Sequence, residues 1–87
     1  MANPDPFTAI SDGNRRYVLE ELRRGPKSVN ELASGLDVSR PAVSQHLKVL
    51  LDAGLVSVST QGTKRIYALN PAGFLSLNIW LDQFWDV

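Results

Sequence analysis

Cysteine is absent from this sequence of 87 residues, and histidine occurs once, at His46. The lack of cysteine excludes disulfide bonds and thiolate nucleophiles, and a single histidine cannot supply the several Cys or His ligands of most zinc sites. No apolar run approaches the roughly 18 residues that span a bilayer, and the N-terminus lacks the basic and apolar regions of a signal peptide. We therefore expect a cytoplasmic protein that has no metal, no other cofactor and no membrane partner.

Net charge is also lacking, because nine basic residues balance nine acidic ones. The overall charge therefore gives no reason to expect a polyanionic partner. The charges are unevenly placed, however: residues 39–70 contain four Lys or Arg against Asp52 alone, whereas residues 71–87 contain two aspartates and no basic residue. Length and composition suit one domain over residues 1–87, with a basic middle and a mildly acidic end.

Helix-capping residues divide the first half of the chain into four short segments. Gly25 follows the second segment, which reaches about Arg24, and Gly54 follows the fourth. Glu31 completes a capping box at the start of the third segment. We therefore predict four helices in this half, each beginning directly after one of four N-cap residues, Asp5, Asp12, Ser28 and Ser39.

A helix-turn-helix is predicted over residues 28–53, where only a short turn separates the third and fourth helices. The following residues, 55–69, alternate apolar and polar side chains around a Gln-Gly-Thr sequence at 61–63, which predicts a hairpin. One more helix is predicted over residues 71–87. The fold class is therefore mainly α, with about five helices and a β-hairpin of two antiparallel strands.

One face of the fourth helix is polar. Val43, Leu47 and Leu50 fall on one side at helical spacing, and polar side chains fall on the other. An ordinary solvated helix face would show the same pattern. The position after a capped helix and a tight turn favours the major groove of DNA, where amide, guanidinium and hydroxyl groups contact base edges and phosphates. The predicted DNA contacts on this helix are Ser39, Arg40, Pro41, Ser44, Gln45 and Lys48.

The tip of the predicted hairpin is basic and polar. Such a tip can bind the DNA backbone or the minor groove beside the site read by the helix. An exposed hairpin also carries lysine simply to block pairing at its edge, and this alternative stays open. The predicted DNA contacts on the hairpin are Gln61, Thr63, Lys64 and Arg65.

His46 is predicted to lie on the apolar flank of the fourth helix, between Val43 and Leu50, and not on the polar face. We expect it to be partly buried and bonded to a neighbour. No nucleophile, base and oxyanion donor occur together, and no Gly-rich phosphate loop is present. We therefore predict no catalytic residue and no enzyme activity.

The last predicted helix carries more large apolar side chains than one small core can cover. Packing within a single subunit is the alternative. A two-fold dimer would cover the excess, would place two reading helices about one DNA turn apart, ~34 Å, and would require a palindromic DNA site. The predicted dimer contacts are Phe7, Ile10, Leu77, Trp80, Leu81, Phe84 and Trp85.

The run SRPAVSQHLKVL at 39–50, followed by DAGLV at 52–56, resembles the recognition-helix signature of ArsR-family winged helix-turn-helix repressors. Asp-Gly-Asn-Arg-Arg at 12–16 is similar to the family's Asp-Pro-Thr-Arg-Arg, with Gly13 in place of the proline. The recognition-helix string is quite specific, and the resemblance covers nearly the whole chain. It implies a winged helix-turn-helix fold in which the hairpin is the wing.

The resemblance extends to the wing at 62–69 and to the last helix, where residues 80–85 are similar to a metal-independent subgroup. The family's metal sensors carry a Cys-containing motif in the third helix, where this chain has Val-Asn-Glu-Leu at 29–32, and His or acidic ligands in the last helix, where it has Asn78 and two aspartates. Metal sensing is therefore not implied. What is implied is a homodimeric bacterial or archaeal repressor, associated with the nucleoid, whose first and last helices form the dimer interface.

By position, the resemblance also implies that Arg40, Pro41, Ser44 and Gln45 approach DNA and that His46 does not. Two other functions remain open. Winged helices also serve as protein-interaction modules, which zero net charge suits. A one-component sensor would instead bind a small apolar effector between the last helices, in a pocket lined by the two tryptophans.

Overall fold

Side-chain hydrogen bonds begin the first four helices of the structure, a computed structural model that describes residues 4–85. An oxygen of each N-cap residue accepts from a backbone N–H in the first turn, at 2.8 Å for Asp5, 3.0 Å for Asp12, 3.3 Å for Ser28 and 3.3 Å for Ser39. Glu31 in turn accepts from the Ser28 N–H at 3.0 Å, so the predicted capping box is present. The helices are α1 (Pro6–Ala9), α2 (Gly13–Leu22), α3 (Val29–Ser34) and α4 (Arg40–Asp52).

Gly54 ends α4 with a backbone φ of 80°, a conformation that costs glycine little. Its N–H donates to the Leu51 carbonyl at 3.0 Å, and the N–H of Leu55 donates to the Leu50 carbonyl at 3.0 Å. This is a Schellman motif, and its characteristic apolar pair, Leu50 and Leu55, is fully buried. The turn therefore sets the direction in which the chain leaves α4 and enters β2 (Val56–Gln61).

The hairpin belongs to an antiparallel sheet of three strands, so the prediction of two strands missed one. β2 pairs with β3 (Lys64–Leu69), and a two-residue strand, β1 (Lys27–Ser28), pairs with the other edge of β3 in the order β1-β3-β2. Ser28 has an extended backbone, with φ −82° and ψ 166°, and serves both as a strand residue and as the N-cap of α3. Two residues are too few for an alternating pattern to appear in the sequence.

Gly62 and Thr63 alone connect β2 to β3, so the hairpin loop is shorter than the predicted three residues. Gln61 ends β2 and pairs with Lys64. Gly62 has a φ of 63°, which matches the glycine preference at the first central position of a type II′ turn. The tight turn places Lys64 and Arg65 at the start of β3, next to the tip of the wing.

Two predicted helix boundaries were wrong. α2 ends at Leu22 and not near Arg24, and Gly25 turns the chain with a φ of 141°. The last helix begins as a 3₁₀ turn at Pro71–Phe74 and becomes α5 only over Leu75–Asp82. Residues 86–87 of that predicted helix lie outside the described residues. None of the helices within residues 4–85 is long and apolar enough to cross a membrane.

The apolar core is built around α4. Val43, Leu47 and Leu50 are fully buried and pack with leucines and valines from the other elements. Burial of each such side chain contributes about 1.5–3 kcal/mol. The core residues are Ala9, Val18, Leu19, Leu22, Leu32, Val43, Leu47, Leu50, Leu55, Val56, Tyr67 and Leu77.

The 3₁₀ turn docks on the end of α4. Asn70 donates its side-chain N–H to the Gly54 carbonyl at 3.0 Å, and its backbone N–H to the Leu55 carbonyl at 2.9 Å. A Cβ at Gly73 would overlap the carbonyl oxygen of Gly54, so only glycine allows this approach. The contact places α5 relative to the helix-turn-helix.

We expect Gly73→Ala to lower the free energy of unfolding by roughly 1–3 kcal/mol, because the added methyl must displace backbone atoms. Gly13→Ala is the matched control, since a Cβ there meets nothing within 4 Å and the φ is not positive. It should be neutral or stabilising by up to about 1 kcal/mol. Urea unfolding followed by circular dichroism at one protein concentration measures both. Equal stability of the two variants would contradict the proposed docking.

Candidate nucleic-acid interface

An open cleft of about 950 Å³ lies between α4 and the wing and gathers most of the predicted DNA contacts. The polar face of α4 and the first residues of β3 line it, together with the start of α3. Eight of the ten predicted residues are among its lining: Arg40, Pro41, Ser44, Gln45, Lys48, Thr63, Lys64 and Arg65.

Ser39 and Gln61 are exposed but do not line the cleft. Ser39 instead caps α4, with its Oγ accepting from the Ala42 N–H at 3.3 Å. Gln61 is the last residue of β2, on the outer strand of the wing. Ser39 therefore has a structural role at the start of α4, whereas Gln61 ends a strand that contributes no residue to the cleft lining.

α4 has the two faces that its sequence predicts. Val43 and Leu47 are fully buried, whereas Arg40, Ser44 and Gln45 are exposed and border the cleft. Because an α-helix is rigid over 13 residues, about 20 Å, burial of one face fixes the direction of the other. Hydroxyl, amide and guanidinium groups are thus presented side by side along one open surface.

The cleft is electropositive although the chain is neutral. Four basic side chains line it, and Asp52 is the one acidic residue among the lining. Lys48 forms an exposed ion pair with Asp52, with Nζ 3.1 Å from Oδ2, which leaves Arg40, Lys64 and Arg65 as the excess positive charge. The Arg65 guanidinium lies 5.7 Å from the centre of the Tyr67 ring, a cation–π distance that helps to orient it.

Besides Asp52, five further residues that the sequence prediction did not include line the cleft. Asn30, in the first turn of α3, is exposed and adds an amide group opposite the recognition face. The position of α3 ahead of the recognition helix is a signal that could have identified it, since the first helix of such a motif crosses the DNA backbone. The others are Ser28, Val29, Leu51 and Tyr67.

His46 lies away from the cleft, as the sequence predicts. Its side chain is only 18% exposed, with Nδ1 3.4 Å from Nη1 of Arg15 and Nε2 4.0 Å from Oδ2 of Asp12. His46 therefore packs against the start of α2 and does not border the cleft.

The sequence pattern of the family described as "Bacterial regulatory protein, arsR family" matches residues 12–58, which run from the start of α2 into β2. This match covers more than half of the chain. The chain belongs to the arsR family. It is therefore a DNA-binding transcriptional regulator with a winged helix-turn-helix fold.

Two relatives and one solved structure illustrate the arsR membership. The chain is 52% identical over 84 residues to the HTH-type transcriptional regulator Rv2034 of Mycobacterium tuberculosis, covering 95% of this chain and 78% of the relative. It is 32% identical over 78 residues to the transcriptional repressor SdpR of Bacillus subtilis, covering 90% and 87%. The crystal structure of a possible transcriptional regulator for arsenical resistance is similar to this chain, with a TM-score of 0.82 and 40% identity, covering 88% of this chain and 80% of the other.

Metal ligands of the kind that arsR metal sensors need do not come together in the described part of the chain. Within residues 4–85, no three His, Cys, Asp or Glu side chains lie close enough to hold one metal ion. The cleft itself contains a single carboxylate, Asp52, already paired with Lys48. The charged side chains that line the cleft suit the binding of an anion.

Two carboxylates that accept capping hydrogen bonds at helix N-termini have lowered pKa values. The pKa of Glu31 is lowered, chiefly because the backbone N–H of Ser28 donates to the carboxylate, with smaller contributions from the Ser28 hydroxyl, Lys27 and Lys64. The pKa of Asp12 is lowered, chiefly by the backbone N–H of Arg15. The ionised form of each carboxylate is therefore more stable in the folded chain than in the unfolded chain.

Stability should consequently fall in acid. Each of these carboxylates stabilises the folded chain fully above its unfolded-state pKa of about 4. The stabilisation is lost as the pH falls through the folded-state pKa, so the free energy of unfolding should begin to decline below about pH 5. Glu31→Gln keeps an acceptor for the Ser28 N–H but cannot titrate, and its acid decline should be shallower. Urea unfolding at a series of pH values tests this.

The matched control for the acid experiment is Glu20→Gln, which removes an exposed carboxylate from the outer face of α2. Glu20 accepts no capping hydrogen bond among the described residues, so its removal should leave the acid decline unchanged. Identical pH profiles for Glu31→Gln and the unaltered chain would show that the capping box does not contribute to acid sensitivity.

Proposed function

We propose that this arsR-family protein is a homodimeric repressor that reads a palindromic operator with α4, supports the contact with its wing, and does not respond to metal ions. One observation carries the proposal: the exposed face of α4 and the tip of the wing border the same electropositive cleft. The relative SdpR, a transcriptional repressor, favours repression over activation.

The residues of α4 suit base reading in the major groove. Gln45 presents an amide that pairs with adenine, and Arg40 a guanidinium that pairs with guanine or a phosphate. Ser44 lies between them and can bond to either type of group. Lys48 lies one turn further along and is held by Asp52, which suits a phosphate contact after exchange of partners.

The wing suits a contact with the DNA backbone. Lys64 and Arg65 follow the tight turn at Gly62-Thr63 and are exposed. Phosphate contacts of this kind position a protein on DNA without distinguishing one base sequence from another. We therefore assign general affinity to the wing and sequence preference to α4.

Large exposed apolar side chains along α5 and on α1 support the dimer. The Trp80 ring packs in a T-shaped arrangement with Phe84, at a centroid distance of 4.7 Å, and with Phe7 at 5.3 Å, which joins α1 to α5 in one aromatic cluster. A monomer seldom leaves so large an apolar surface in water. The exposed apolar residues are Phe7, Leu75, Ile79, Trp80, Leu81, Phe84 and Trp85.

We propose a dimer surface that differs from the predicted one at two residues that are not exposed. Leu77 is buried in the core of its own chain, at 7% exposure, because it lies on the face of α5 that meets the other elements. Ile10 is half-buried at the end of α1 and packs against the same core. Leu75 and Ile79, which the sequence prediction omitted, lie on the opposite face of α5 and are exposed. The proposed dimer surface therefore includes them and excludes Leu77.

For DNA reading, we expect Gln45→Ala and Arg40→Ala each to weaken binding to the preferred duplex by about 1–3 kcal/mol, or roughly 5- to 150-fold, and to reduce preference over a shuffled duplex. The probe is a duplex selected by the protein from a random-sequence library, and binding is measured by fluorescence anisotropy. A palindromic selected sequence is expected.

Lys64→Ala is the matched control for the reading variants. It should weaken binding to selected and shuffled duplexes alike and reduce the slope of log affinity against log salt by about one. Failure to select any sequence, or binding that does not depend on salt, would instead favour a protein-interaction module.

For the dimer, we expect the unaltered chain to sediment as a dimer at micromolar concentration and Ile79→Glu to raise the dissociation constant by at least about tenfold, because a carboxylate would be buried. Ser57→Glu adds the same charge on the exposed surface of β2 and should leave the dimer intact. A purely monomeric unaltered chain in analytical ultracentrifugation would refute this part of the proposal.

A further inference from the structure

Arg15 connects three helices through its guanidinium group. Nε donates to the Ala9 carbonyl at 2.8 Å and Nη2 to the Thr8 carbonyl at 3.3 Å, which holds the end of α1. Nη1 lies 3.4 Å from Nδ1 of His46, in the middle of α4. A residue at the start of α2 thus contacts both the helix that belongs to the proposed dimer surface and the helix that reads DNA.

The chemistry of the contact defines which group donates. A guanidinium group can only donate hydrogen bonds, so Nδ1 of His46 is the acceptor in this contact, and the other ring nitrogen is Nε2. That nitrogen faces Oδ2 of Asp12 at 4.0 Å, and the same oxygen accepts from the backbone N–H of Arg15 at 3.0 Å. Arg15, His46 and Asp12 therefore form a polar cluster in which the side chains of Arg15 and His46 contact each other and Asp12 is bonded to the backbone of Arg15.

Holding His46 restrains the rotation of α4 about its own axis. The apolar face of α4 fixes the helix on the core, but a face of branched aliphatic side chains has no directional bond that resists a small rotation or slide. The Arg15–His46 bond supplies such a direction. Because His46 directly follows Gln45 in a rigid helix, a shift of one moves the other by a similar amount.

The Arg15 guanidinium also connects His46 to the proposed dimer surface, through α1. α1, whose end it holds, also carries Phe7, which packs against Trp80 of α5. Contacts therefore run from the aromatic cluster through α1 and Arg15 to the centre of α4. A double substitution can measure whether this arrangement affects reading.

We propose that Arg15 is a positioning residue for DNA reading, which holds α4 through His46 against α1 so that Gln45 and Ser44 face the bases. The proposal rests on the proposed function, since it concerns how the reading face is oriented. Arg15 itself does not line the cleft, so the proposal assigns it no direct contact with DNA.

The test compares variants that alter the cluster but leave the apolar anchors of α4 intact. Arg15→Met keeps the aliphatic stem and removes every donor, and His46→Leu removes the acceptor. Each should reduce the ratio of affinities for selected and shuffled duplexes by roughly 2- to 30-fold, the range of typical coupling energies. The double variant should lose no more than the larger single loss, because both remove the same bond.

His46→Asn is the conservative variant, since its side-chain oxygen can accept from Arg15. It should restore most of the ratio that His46→Leu loses. If the cluster contributes to stability alone, the variants should lower the unfolding midpoint without changing the affinity ratio of the folded molecules. His46→Asn and His46→Leu should then give the same ratio. If Arg15→Met does not fold, the Asn and Leu variants decide the question.

The control for lost charge is Arg23→Met, which removes an exposed guanidinium at the end of α2. It should weaken binding to both duplexes slightly and leave their ratio unchanged. The inference is overturned if Arg15→Met and Arg23→Met give the same ratio of affinities for the selected and shuffled duplexes. It is also overturned if His46→Asn and His46→Leu give the same ratio. Gln45→Ala, measured alongside, separates the two failures: if it too leaves the ratio unchanged, the proposed function fails and the inference with it.

Discussion

Burial of one face of α4 is the constraint on which the rest of the structure depends. Val43, Leu47 and Leu50 are fully buried, so the helix must turn this face toward the core to keep its large apolar side chains out of water. The same rotation directs Arg40 and Gln45 outward into the cleft. Stability and recognition are therefore two consequences of a single amphipathic pattern.

The C-terminal end of α4 transmits this orientation to the remaining elements. The Schellman turn at Gly54 leads directly into the wing, and the Gly54 carbonyl accepts from Asn70 at the start of the 3₁₀ turn that precedes α5. The recognition face, the wing and the proposed dimer helix are thus anchored within a few residues of one another. Small displacements at Gly73 or Gly54 should alter all three together.

The distribution of charge explains how a neutral arsR-family protein can bind a polyanion. The excess positive charge is confined to the cleft, where Arg40, Lys64 and Arg65 remain after Lys48 pairs with Asp52. One such surface makes few phosphate contacts and would bind weakly. Two copies joined through the exposed apolar side chains of α5 would double the contacts, which is the physical reason that the proposed reading of DNA belongs to a dimer.

The sequence by itself determined the features that depend on near neighbours: four N-caps, the capping box at Ser28, the end of α4 at Gly54, and the opposed faces of that helix. Each follows from bonds or periodicity within a few residues. Only the tertiary structure decided that β1 pairs with β3, that Leu77 enters the core, that Asn30 borders the cleft, and that Arg15 meets His46, 31 positions away. Such contacts depend on how whole elements pack, and no local pattern of hydrophobicity encodes which distant residues will meet.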